Sequence, residues 1–299
     1  EKTMNNKSKT IGFVGIGLMG RSLVQRLSNN GYLINAFDLD KEKLDKIKFK
    51  NVSISNNTAE ISQKCDLILI CVDNTKNVER AVFGENSIST NGNQNTIIID
   101  LSTTLANETI NFSIRFKKET GGSWVDAPVS GGPEKALDGS LSIMVGGDKK
   151  DIAIISPILK IISKTYTHFG LVGSGQVVKM INQILVLNNY IILAEALSFA
   201  EAWGIDAKKI PDALKDGHAG SNLLMSLFPR MIDKDFEPQG YSTQILKDLN
   251  MLSKLAEEKN IPIPMSSLSK QLFTILVKKS KKNLDGTSIV KLFDSNNKI

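Results

Sequence analysis

The glycine spacing at Gly15–Gly20 (GIGLMG) is the feature that most constrains the fold of this chain. It follows a short apolar run, Thr10–Val14, that is typical of a buried parallel strand, and it precedes a helical pattern. A strand, a glycine turn and a helix in this order open a βαβ unit that binds a dinucleotide. We therefore expect Gly15 to form a tight turn, Gly17 to admit a pyrophosphate and Gly20 to let helix and strand pack closely.

A carboxylate follows the second apolar run, where Leu33–Phe37 ends at Asp38. At this position a carboxylate accepts hydrogen bonds from ribose hydroxyls and repels a 2′-phosphate. Leu39 comes next, where an Arg would favour that phosphate. The pattern predicts NAD, with NADP less favoured. The alternative is a turn without a ligand, in which Asp38 is the N-cap of the next helix.

The chain has 299 residues, a length that predicts about two domains, and the spacing of its apolar residues differs between the two halves. In the first half, apolar runs alternate with helical segments, as in a doubly wound parallel sheet. The further runs are Leu67–Val72, Thr96–Leu101, Ser123–Ala127 and Ser142–Val145. Helical patterns then dominate, at Gln176–Trp203, Ala207–Asp216, Asn222–Ile232, Thr243–Lys259 and Met265–Lys281.

We therefore predict an α/β Rossmann-type N-terminal domain with an all-α C-terminal domain. Residues 1–9 are expected to be a flexible tail, and residues 10–172 a NAD-binding Rossmann domain. Residues 173–299 are expected to form an all-helical substrate and dimerisation domain that begins with a long interdomain helix.

Composition narrows the possible partners. Two cysteines and two well-separated histidines give neither a disulfide framework nor a zinc pattern, so we expect no metal. The net charge is +6, but we interpret the dense basic run Lys278–Lys282 as a solvated helix end and expect no nucleic acid. Asn188, Asn189 and Glu195 interrupt the longest apolar stretch, so we expect no membrane span. Glu1–Lys9 lacks the apolar core of a secretory signal, and we expect a cytoplasmic protein.

Two further groups of residues point to chemistry on an alcohol. Lys179 lies in the first turns of the long helix, and Asn182 and Gln183 share its face. A Lys whose pKa is lowered by burial, or by positive charge from nicotinamide or Lys247, can exchange the hydroxyl proton. The alternative is a surface Lys lying along its helix. The turn Ser130–Gly132 can aim backbone N–H groups at a carboxylate, or can be a plain chain reversal after Pro128.

Four sequence blocks in order resemble the 3-hydroxyisobutyrate dehydrogenase family, the β-hydroxyacid dehydrogenases related to 6-phosphogluconate dehydrogenase. They are Gly15–Gly20, Asp126–Gly132 (DAPVSGG), Gly173–Asn182 (GSGQVVKMIN) and Lys247–Leu249 (KDL). The resemblance implies a 6-phosphogluconate dehydrogenase-like fold with Lys179 as the general acid and base. It also implies a substrate-binding set of Ser130, Gly131, Gly132, Asn182 and Gln183.

The resemblance extends the cofactor site beyond the glycine turn. The implied cofactor-binding residues are Gly15, Ile16, Gly17, Leu18, Met19, Gly20, Asp38, Val72, Asp73, Asn77, Thr103 and Lys247. Thr103 matches the residue that reaches the nicotinamide end, and Lys247 the one that closes over the ring. Asp248 would hold Lys247 by an ion pair or face solvent.

One departure from the family narrows the substrate. The family has two consecutive Asn after the Lys, whereas this chain has Asn182 and then Gln183. The threonate dehydrogenase branch resembles this chain in that Gln, in Asn74-Thr75 and in Ala219-Gly220. We therefore expect NAD-dependent oxidation of a small hydroxy acid, with a C4 sugar acid such as threonate favoured over a 3-hydroxyisobutyrate-like substrate.

Several alternatives and secondary expectations remain open. One alternative is the reverse direction, the reduction of a small semialdehyde such as tartronate or succinate semialdehyde. Imine reduction is disfavoured by the presence of Lys179. A non-catalytic dinucleotide-binding module is the alternative from another class. We expect a homodimer or homotetramer with residues 243–281 in the interface, Phe199 and Trp203 as packing residues, and His218 in solvent.

Overall fold

The computed structural model describes residues 10–294, so the tail prediction for residues 1–9 lies outside the described residues. The packed residues fall into two compact units that divide between Lys179 and Met180. The sequence prediction begins the second domain at residue 173, and that boundary stays a prediction. The structural division falls seven residues later because the first turn of the long helix is hydrogen-bonded to the first unit.

The first unit is built on one sheet, which has nine strands within residues 10–294. The strands are β1 (Thr10–Val14), β2 (Leu33–Phe37), β3 (Val52–Ile54), β4 (Leu67–Ile70), β5 (Ile97–Asp100), β6 (Ser123–Asp126), β7 (Val129–Ser130), β8 (Leu141–Gly146) and β9 (Ser163–Gly170). Short apolar runs form most of them, and β5 is buried at every residue, as the interior strand of a parallel sheet must be.

The sheet confirms the predicted Rossmann-type topology. Its order begins β3-β2-β1-β4-β5-β6, and all these neighbours are parallel. The chain changes direction across the sheet between β1 and β4, which is the switch point where such sheets bind ligands. Beyond β6 the sheet is mixed, because β8 runs antiparallel to β6 and β7 and parallel to β9.

Three strands are absent from the sequence prediction, namely β3, β7 and β9. β3 and β7 have three and two residues, too few for a hydrophobic period to show. β9 has eight residues (SKTYTHFG), most of them polar and exposed or half-buried. It is a strand because its backbone pairs with β8, and that pairing has no signature in the side chains of the segment itself.

Helices of the first unit connect the strands. They are α1 (Leu18–Asn29), α2 (Lys41–Asp45), α3 (Thr58–Lys64), α4 (Thr75–Phe83), α5 (Ile88–Asn91), α6 (Ala106–Thr120), α7 (Gly132–Asp138) and α8 (Lys149–Ile162). Residues of α1 and α8 such as Leu23, Leu27 and Ile158 pack with Ile11 and Phe13 of β1 in one core cluster. Phe112, Phe116 and Trp124 belong to a separate cluster with residues of α3 and α4.

The second unit is helical. It contains most of α9 (Ser174–Ala202), followed by α10 (Ile210–Leu214), α11 (Asn222–Ile232), α12 (Ser242–Glu258) and α13 (Pro264–Lys279), with 3₁₀ turns at Ala207–Lys209 and Gly286–Leu292. The single helix predicted over Ala207–Asp216 is wrong. The segment is a 3₁₀ turn followed by five residues of α-helix, and Pro211 at the start of α10 has no N–H to continue the earlier turn.

Packing inside this unit centres on Phe228 and Phe273, which are fully buried. The expectation that Phe199 and Trp203 are packing residues is wrong for this chain, because 69% and 71% of their surfaces are exposed. Their rings contact each other, with centroids 6.1 Å apart.

By length and composition, α9 qualifies as a candidate membrane span, and 44% of its most apolar window is buried inside the structure. It meets this criterion although Asn188, Asn189 and Glu195 interrupt its sequence. The core helix of a soluble protein meets the same criterion, and α9 supplies Leu187, Ile191 and Leu197 to the helical core.

Candidate active site

The glycine turn joins β1 to α1 at the switch point of the sheet, and each glycine has its own reason to be there. Gly15 has a φ of +97°, and a Cβ atom on it would lie 2.2 Å from the carbonyl oxygen of Cys71. A Cβ on Gly20 would lie 2.0 Å from the carbonyl oxygen of Gly15. Beside Gly17 no heavy atom lies within 4 Å of that position. The turn is therefore closed at Gly15 and Gly20 and open at Gly17, which begins α1 as its N-cap.

The carboxylate of Asp38 faces this turn. One oxygen accepts a hydrogen bond from the backbone N–H of Ile16 at 2.6 Å, and the other accepts from the N–H of Asp40 at 2.9 Å. Nζ of Lys43 lies 3.9 Å from the carboxylate. The alternative in which Asp38 is the N-cap of the next helix is wrong, because Asp40 caps α2 by accepting from the N–H of Glu42.

A cavity of about 310 Å³ opens at the ends of β1, β2 and β4. Six of the predicted cofactor residues line it: Gly15, Gly17, Asp38, Val72, Asp73 and Asn77. Ile16, Leu18, Met19, Gly20 and Thr103 are not among the lining residues. The open side of Gly17 and the carboxylate in one cavity fit a dinucleotide with its pyrophosphate at the helix start and its ribose at Asp38.

Several residues that line the cavity wall are absent from the predicted cofactor-binding set. Further polar lining residues are Asp40, Lys43, Asn57, Thr58, Arg80, Glu85 and Asn86. Arg80 follows Asn77 by three residues on α4, so helical spacing was an available signal for it. Asn57 and Thr58 follow β3, and no sequence signal was available because β3 itself went unrecognised. The wall carries Lys43 and Arg80 against Asp38, Asp40, Asp73 and Glu85, an excess of two negative charges.

Cys71 also lines the cavity, but its thiol is not a reactive group. Burial raises the pKa of Cys71 to about 12, and burial raises that of Cys65 to about 11. A thiol with such a pKa is protonated at neutral pH and is a poor nucleophile. The Cys71 thiol therefore contributes to the cavity wall as a small buried side chain.

Lys179 is buried, with 7% of its surface exposed, although most helical lysines lie in solvent. Its Nζ donates a hydrogen bond to the carbonyl oxygen of Val129 at 2.8 Å. Val129 directly precedes Ser130 in β7, so the ammonium group of α9 lies against the Asp126–Gly132 block. The alternative of a surface Lys is wrong.

The Ser130–Gly132 turn leads from β7 into α7. Ser130 pairs with Ser142 of β8, and the next two residues have φ angles of +140° and +80°. A Cβ on Gly131 would meet the Lys135 side chain at 2.9 Å, whereas the space beside Gly132 is open. Two successive positive φ angles reverse the chain and leave an accessible, small-residue surface beside Ser130.

Asp126 opens the same sequence block, and sequence reasoning gave it no role. It is fully buried, and its two carboxylate oxygens accept from the backbone N–H groups of Gly173 at 2.7 Å and Gln176 at 2.9 Å. A Cβ on Gly146 or Gly175 would lie 2.5 or 2.7 Å from a carboxylate oxygen. Both glycines are thus required by the close approach of Asp126, which attaches the start of α9 to β6.

The side chain of Gln176, in the first turn of α9, is also fully buried. Its Oε1 accepts from the N–H of Thr104 at 3.0 Å, and its Nε2 donates to the carbonyl oxygen of Ser102 at 2.8 Å. Thr103 lies between these two residues and is half-buried. Gln176 therefore joins α9 to the segment that carries the predicted nicotinamide contact.

Two buried carboxyl groups stand side by side here, because Asp100 and Asp126 are register partners on β5 and β6. Burial raises the pKa of Asp100 to about 7, although the side chain and N–H of Ser102 oppose the shift. Burial raises the pKa of Asp126 to about 6 against its backbone hydrogen bonds. Asp126 contributes to the raised pKa of Asp100 through its charge.

In the second unit, Gln183 and Asp248 form a buried pair, each with 7% of its surface exposed. Nε2 of Gln183 donates to Asp248 at 2.5 Å, and Oε1 of Gln183 accepts from Nδ2 of Asn182 at 2.8 Å. Nζ of Lys247 lies 3.1 Å from the other carboxylate oxygen. Of the two possibilities for Asp248, the ion pair with Lys247 is the one found. Because a carboxylate only accepts, it fixes which side of the Gln183 amide faces it.

The remaining candidates lie apart from these clusters. His218 is exposed, and Ser221 is the N-cap of α11, accepting from the N–H of Leu224 at 3.0 Å. Within residues 10–294, no group of three or more His, Cys, Asp or Glu side chains is arranged to hold a metal ion.

Comparison with known proteins finds family matches along almost the whole chain. Residues 10–170 match the NAD-binding domain of 6-phosphogluconate dehydrogenase, and residues 173–293 match the NAD-binding domain of NADP-dependent 3-hydroxyisobutyrate dehydrogenase. These matches and the fold define an NAD(P)-dependent oxidoreductase with a Rossmann-type domain and a helical domain.

Similar proteins identify the family. A probable mitochondrial 3-hydroxyisobutyrate dehydrogenase-like protein of Arabidopsis thaliana is 36% identical over 90% of this chain and 83% of its own length. The 2-hydroxy-3-oxopropionate reductase of Escherichia coli is 32% identical over 95% of this chain and 97% of its own. The chain belongs to the 3-hydroxyisobutyrate dehydrogenase family and is an NAD(P)-dependent hydroxyacid dehydrogenase.

A solved structure supports the fold independently of close sequence similarity. The crystal structure of 3-hydroxyisobutyrate dehydrogenase from Salmonella typhimurium has a TM-score of 0.86 at 21% identity, covering 95% of this chain and 99% of that one. At this identity the likeness shows the fold alone. The alternative of a non-catalytic dinucleotide-binding module is set aside by the family membership.

Proposed function

We propose that this enzyme oxidises a small hydroxy acid, favours a C4 sugar acid such as threonate, and uses NAD in preference to NADP. The observation that carries the proposal is the buried ammonium group of Lys179, held 2.8 Å from the carbonyl oxygen of Val129 beside the Ser130–Gly132 turn. A proton-exchanging group and an anion-accepting turn are thus adjacent within one unit, as oxidation of an alcohol that carries a carboxylate requires.

In this mechanism the Ser130–Gly132 turn binds the substrate carboxylate, and Lys179 accepts the proton of the neighbouring hydroxyl. The carbonyl of Val129 can accept a hydrogen bond from either protonation state of Lys179, so the nitrogen keeps its place while the proton moves. Asn182 or Gln183 orients the hydroxyl. Bound NAD supplies the hydride-accepting chemistry, and the chain supplies orientation and electrostatics.

Replacing Lys179 tests the assignment. Lys179→Ala should lower kcat by about 100-fold or more, the usual share of general acid and base catalysis. Binding of NAD, measured by calorimetry, should change little. Lys160→Ala, which removes an exposed lysine of α8, is the matched control and should keep wild-type kcat. Wild-type turnover in Lys179→Ala would remove this residue from the mechanism.

The substrate is identified by an NAD-reduction screen that includes threonate, glycerate, 3-hydroxyisobutyrate and 4-hydroxybutyrate. We expect the highest kcat/KM with threonate. Support comes from the resemblance of Gln183 and Asn74-Thr75 to the threonate dehydrogenase branch. Absence of NAD reduction with every hydroxy acid would contradict the proposed oxidation.

A second candidate is the reductive direction, acting on a small semialdehyde such as tartronate or succinate semialdehyde. It is favoured by the similarity to the Escherichia coli protein named 2-hydroxy-3-oxopropionate reductase. The same residues serve it, with Lys179 donating the proton. Kinetics in both directions distinguish the candidates by their relative kcat/KM.

The preference for NAD rests on the negative charge around Asp38. Asp38→Ala should weaken NAD binding and narrow the gap between the Kd values for NAD and NADP, because the 2′-phosphate is no longer repelled. Asp40→Ala, in the same cavity, is the matched control and should narrow the gap less. An unchanged ratio of the two Kd values in Asp38→Ala would refute the role of its charge.

We also propose that the chain forms a homodimer or homotetramer in the cytoplasm. An apolar stripe on α9 is exposed at helical spacing, at Ile181, Leu185, Ile192 and Phe199, and the exposed Trp203 follows directly after the helix. Met265, Leu268 and Ile275 are likewise exposed on α13, within the predicted interface. A second copy packed against these side chains would remove their apolar surface from water. Light scattering should show an oligomer that Phe199→Ser with Trp203→Ser dissociates; a wild-type monomer at micromolar concentration would contradict it.

A further inference from the structure

Gln176 is unusual in the first unit because its amide is fully buried and both its ends bond to one short backbone segment. The acceptor end takes the N–H of Thr104, and the donor end gives to the carbonyl oxygen of Ser102. Leaving either backbone group unpaired in the interior would be unfavourable, because a buried donor or acceptor without a partner loses its hydration and gains nothing in return. The side chain thus holds α9 at one fixed distance from the Ser102–Thr104 segment.

The attachment is separate from that made by Asp126. The Asp126 carboxylate takes backbone N–H groups at the start of α9 and connects them to β6. Gln176 instead connects α9 to the loop that follows β5. Two independent attachments in different directions leave the first turn of α9 little freedom to rotate or slide.

Lys179 follows Gln176 by three residues, so the two side chains are neighbours on one helix. Thr103 lies between the two backbone groups that Gln176 binds. We propose that Gln176 is a positioning residue that sets the spacing between Thr103, at the nicotinamide end, and Nζ of Lys179. This inference rests on the proposed function. A displacement of about 1 Å between reacting groups can cost on the order of 100-fold in rate.

The test uses two variants of the full chain. Gln176→Leu keeps the approximate volume and removes both hydrogen bonds. Gln176→Glu keeps an acceptor for the Thr104 N–H but cannot donate to the Ser102 carbonyl when ionised. We expect kcat to fall at least 10-fold in Gln176→Leu and by less in Gln176→Glu. The Kd for NAD should stay within about 3-fold of the wild-type value, because the variants weaken an interaction that matters in the transition state and not in cofactor binding.

Ile158→Ala separates positioning from stability, because it removes buried volume from the core of the same unit. It should lower Tm and leave kcat unchanged at a temperature where the protein is folded. Wild-type kcat in folded Gln176→Leu would overturn the proposal, and so would a fall in NAD affinity as large as the fall in kcat. If Gln176→Leu does not fold, Gln176→Glu decides by the same two criteria. A wild-type enzyme inactive on every hydroxy acid would instead count against the proposed function.

Discussion

The two units each hold a buried carboxylate beside α9 residues, and the groups that bind these carboxylates are of different kinds. In the first unit Asp126 accepts from the backbone N–H groups of Gly173 and Gln176. In the second unit Asp248 is bound by the side chains of Gln183 and Lys247. The first arrangement depends on where the backbone runs. The second depends on the identity of the residues at positions 183 and 247.

This difference bears on which residues can be replaced without losing each arrangement. Backbone donors remain when side chains change, provided that small residues such as Gly146 and Gly175 leave room for the carboxylate. Side-chain donors change whenever their residue changes. Gln183, where the resemblance predicts Asn, is such a side-chain donor, and its amide reaches Asp248.

Removing the carboxylate of Asp126 should have the largest effect. In Asp126→Asn the amide oxygen can accept from one backbone N–H, while the NH₂ group faces the other donor. We expect the free energy of unfolding to fall by about 2 kcal/mol, as for other lost buried hydrogen bonds to charged groups. We expect kcat to fall by about 100-fold, because the start of α9 carries Lys179. Chemical denaturation and steady-state kinetics measure the two effects; wild-type stability would show that the backbone attachment is dispensable.

The same variant should alter the pH dependence of stability. The pKa values of Asp100 and Asp126 are raised to about 7 and about 6 from an ordinary value of 3.8, so the folded protein holds these protons more tightly than the unfolded chain. Their contribution to the free energy of unfolding therefore falls as pH rises from about 4 to about 7. Urea unfolding at pH 5 and pH 7.5 should show a smaller difference in Asp126→Asn than in the wild type. An identical difference would contradict the raised pKa of Asp126.

Asp248→Asn should have an intermediate effect. The amide can present either its oxygen or its NH₂ group, so it no longer fixes the orientation of the Gln183 amide, and it loses the ion pair with Lys247. We expect kcat/KM for the hydroxy acid to fall about 10-fold, the lower end for a hydrogen bond to a charged group. Asp206→Asn removes an exposed carboxylate of the same unit and should leave kcat/KM unchanged. An effect of equal size in both variants would indicate net charge as the cause.

Gln183→Asn should have the smallest effect, since the amide remains and only its reach to Asp248 is lost. We expect kcat/KM to fall by about 3-fold, less than in Asp248→Asn, because the ion pair of Asp248 with Lys247 remains. The sharper measurement is a double-mutant cycle with Asp248→Asn. If the two side chains act as one pair, Gln183→Asn should add little in the Asp248→Asn background. Additive losses would show that they act independently.

Local patterns made the cofactor half of the site predictable. Gly15 and Gly17 lie in the turn between β1 and α1, and Asp38 follows the end of β2. Each position can be recognised from the residues next to it in the sequence. Gln176 and Asp126 could not be found this way. Their partners lie 72 and 50 positions away along the chain, and no period in the sequence links such positions.

The sequence by itself determined the alternation of strands and helices, the dinucleotide turn and the family resemblance, because each depends on residues close together in the chain. Only the tertiary structure decided that Lys179 is buried against Val129, that Asp248 binds Gln183 and that Ser163–Gly170 is a strand. These outcomes depend on hydrogen bonds between distant segments, whose energies are set by distance and burial in the folded chain.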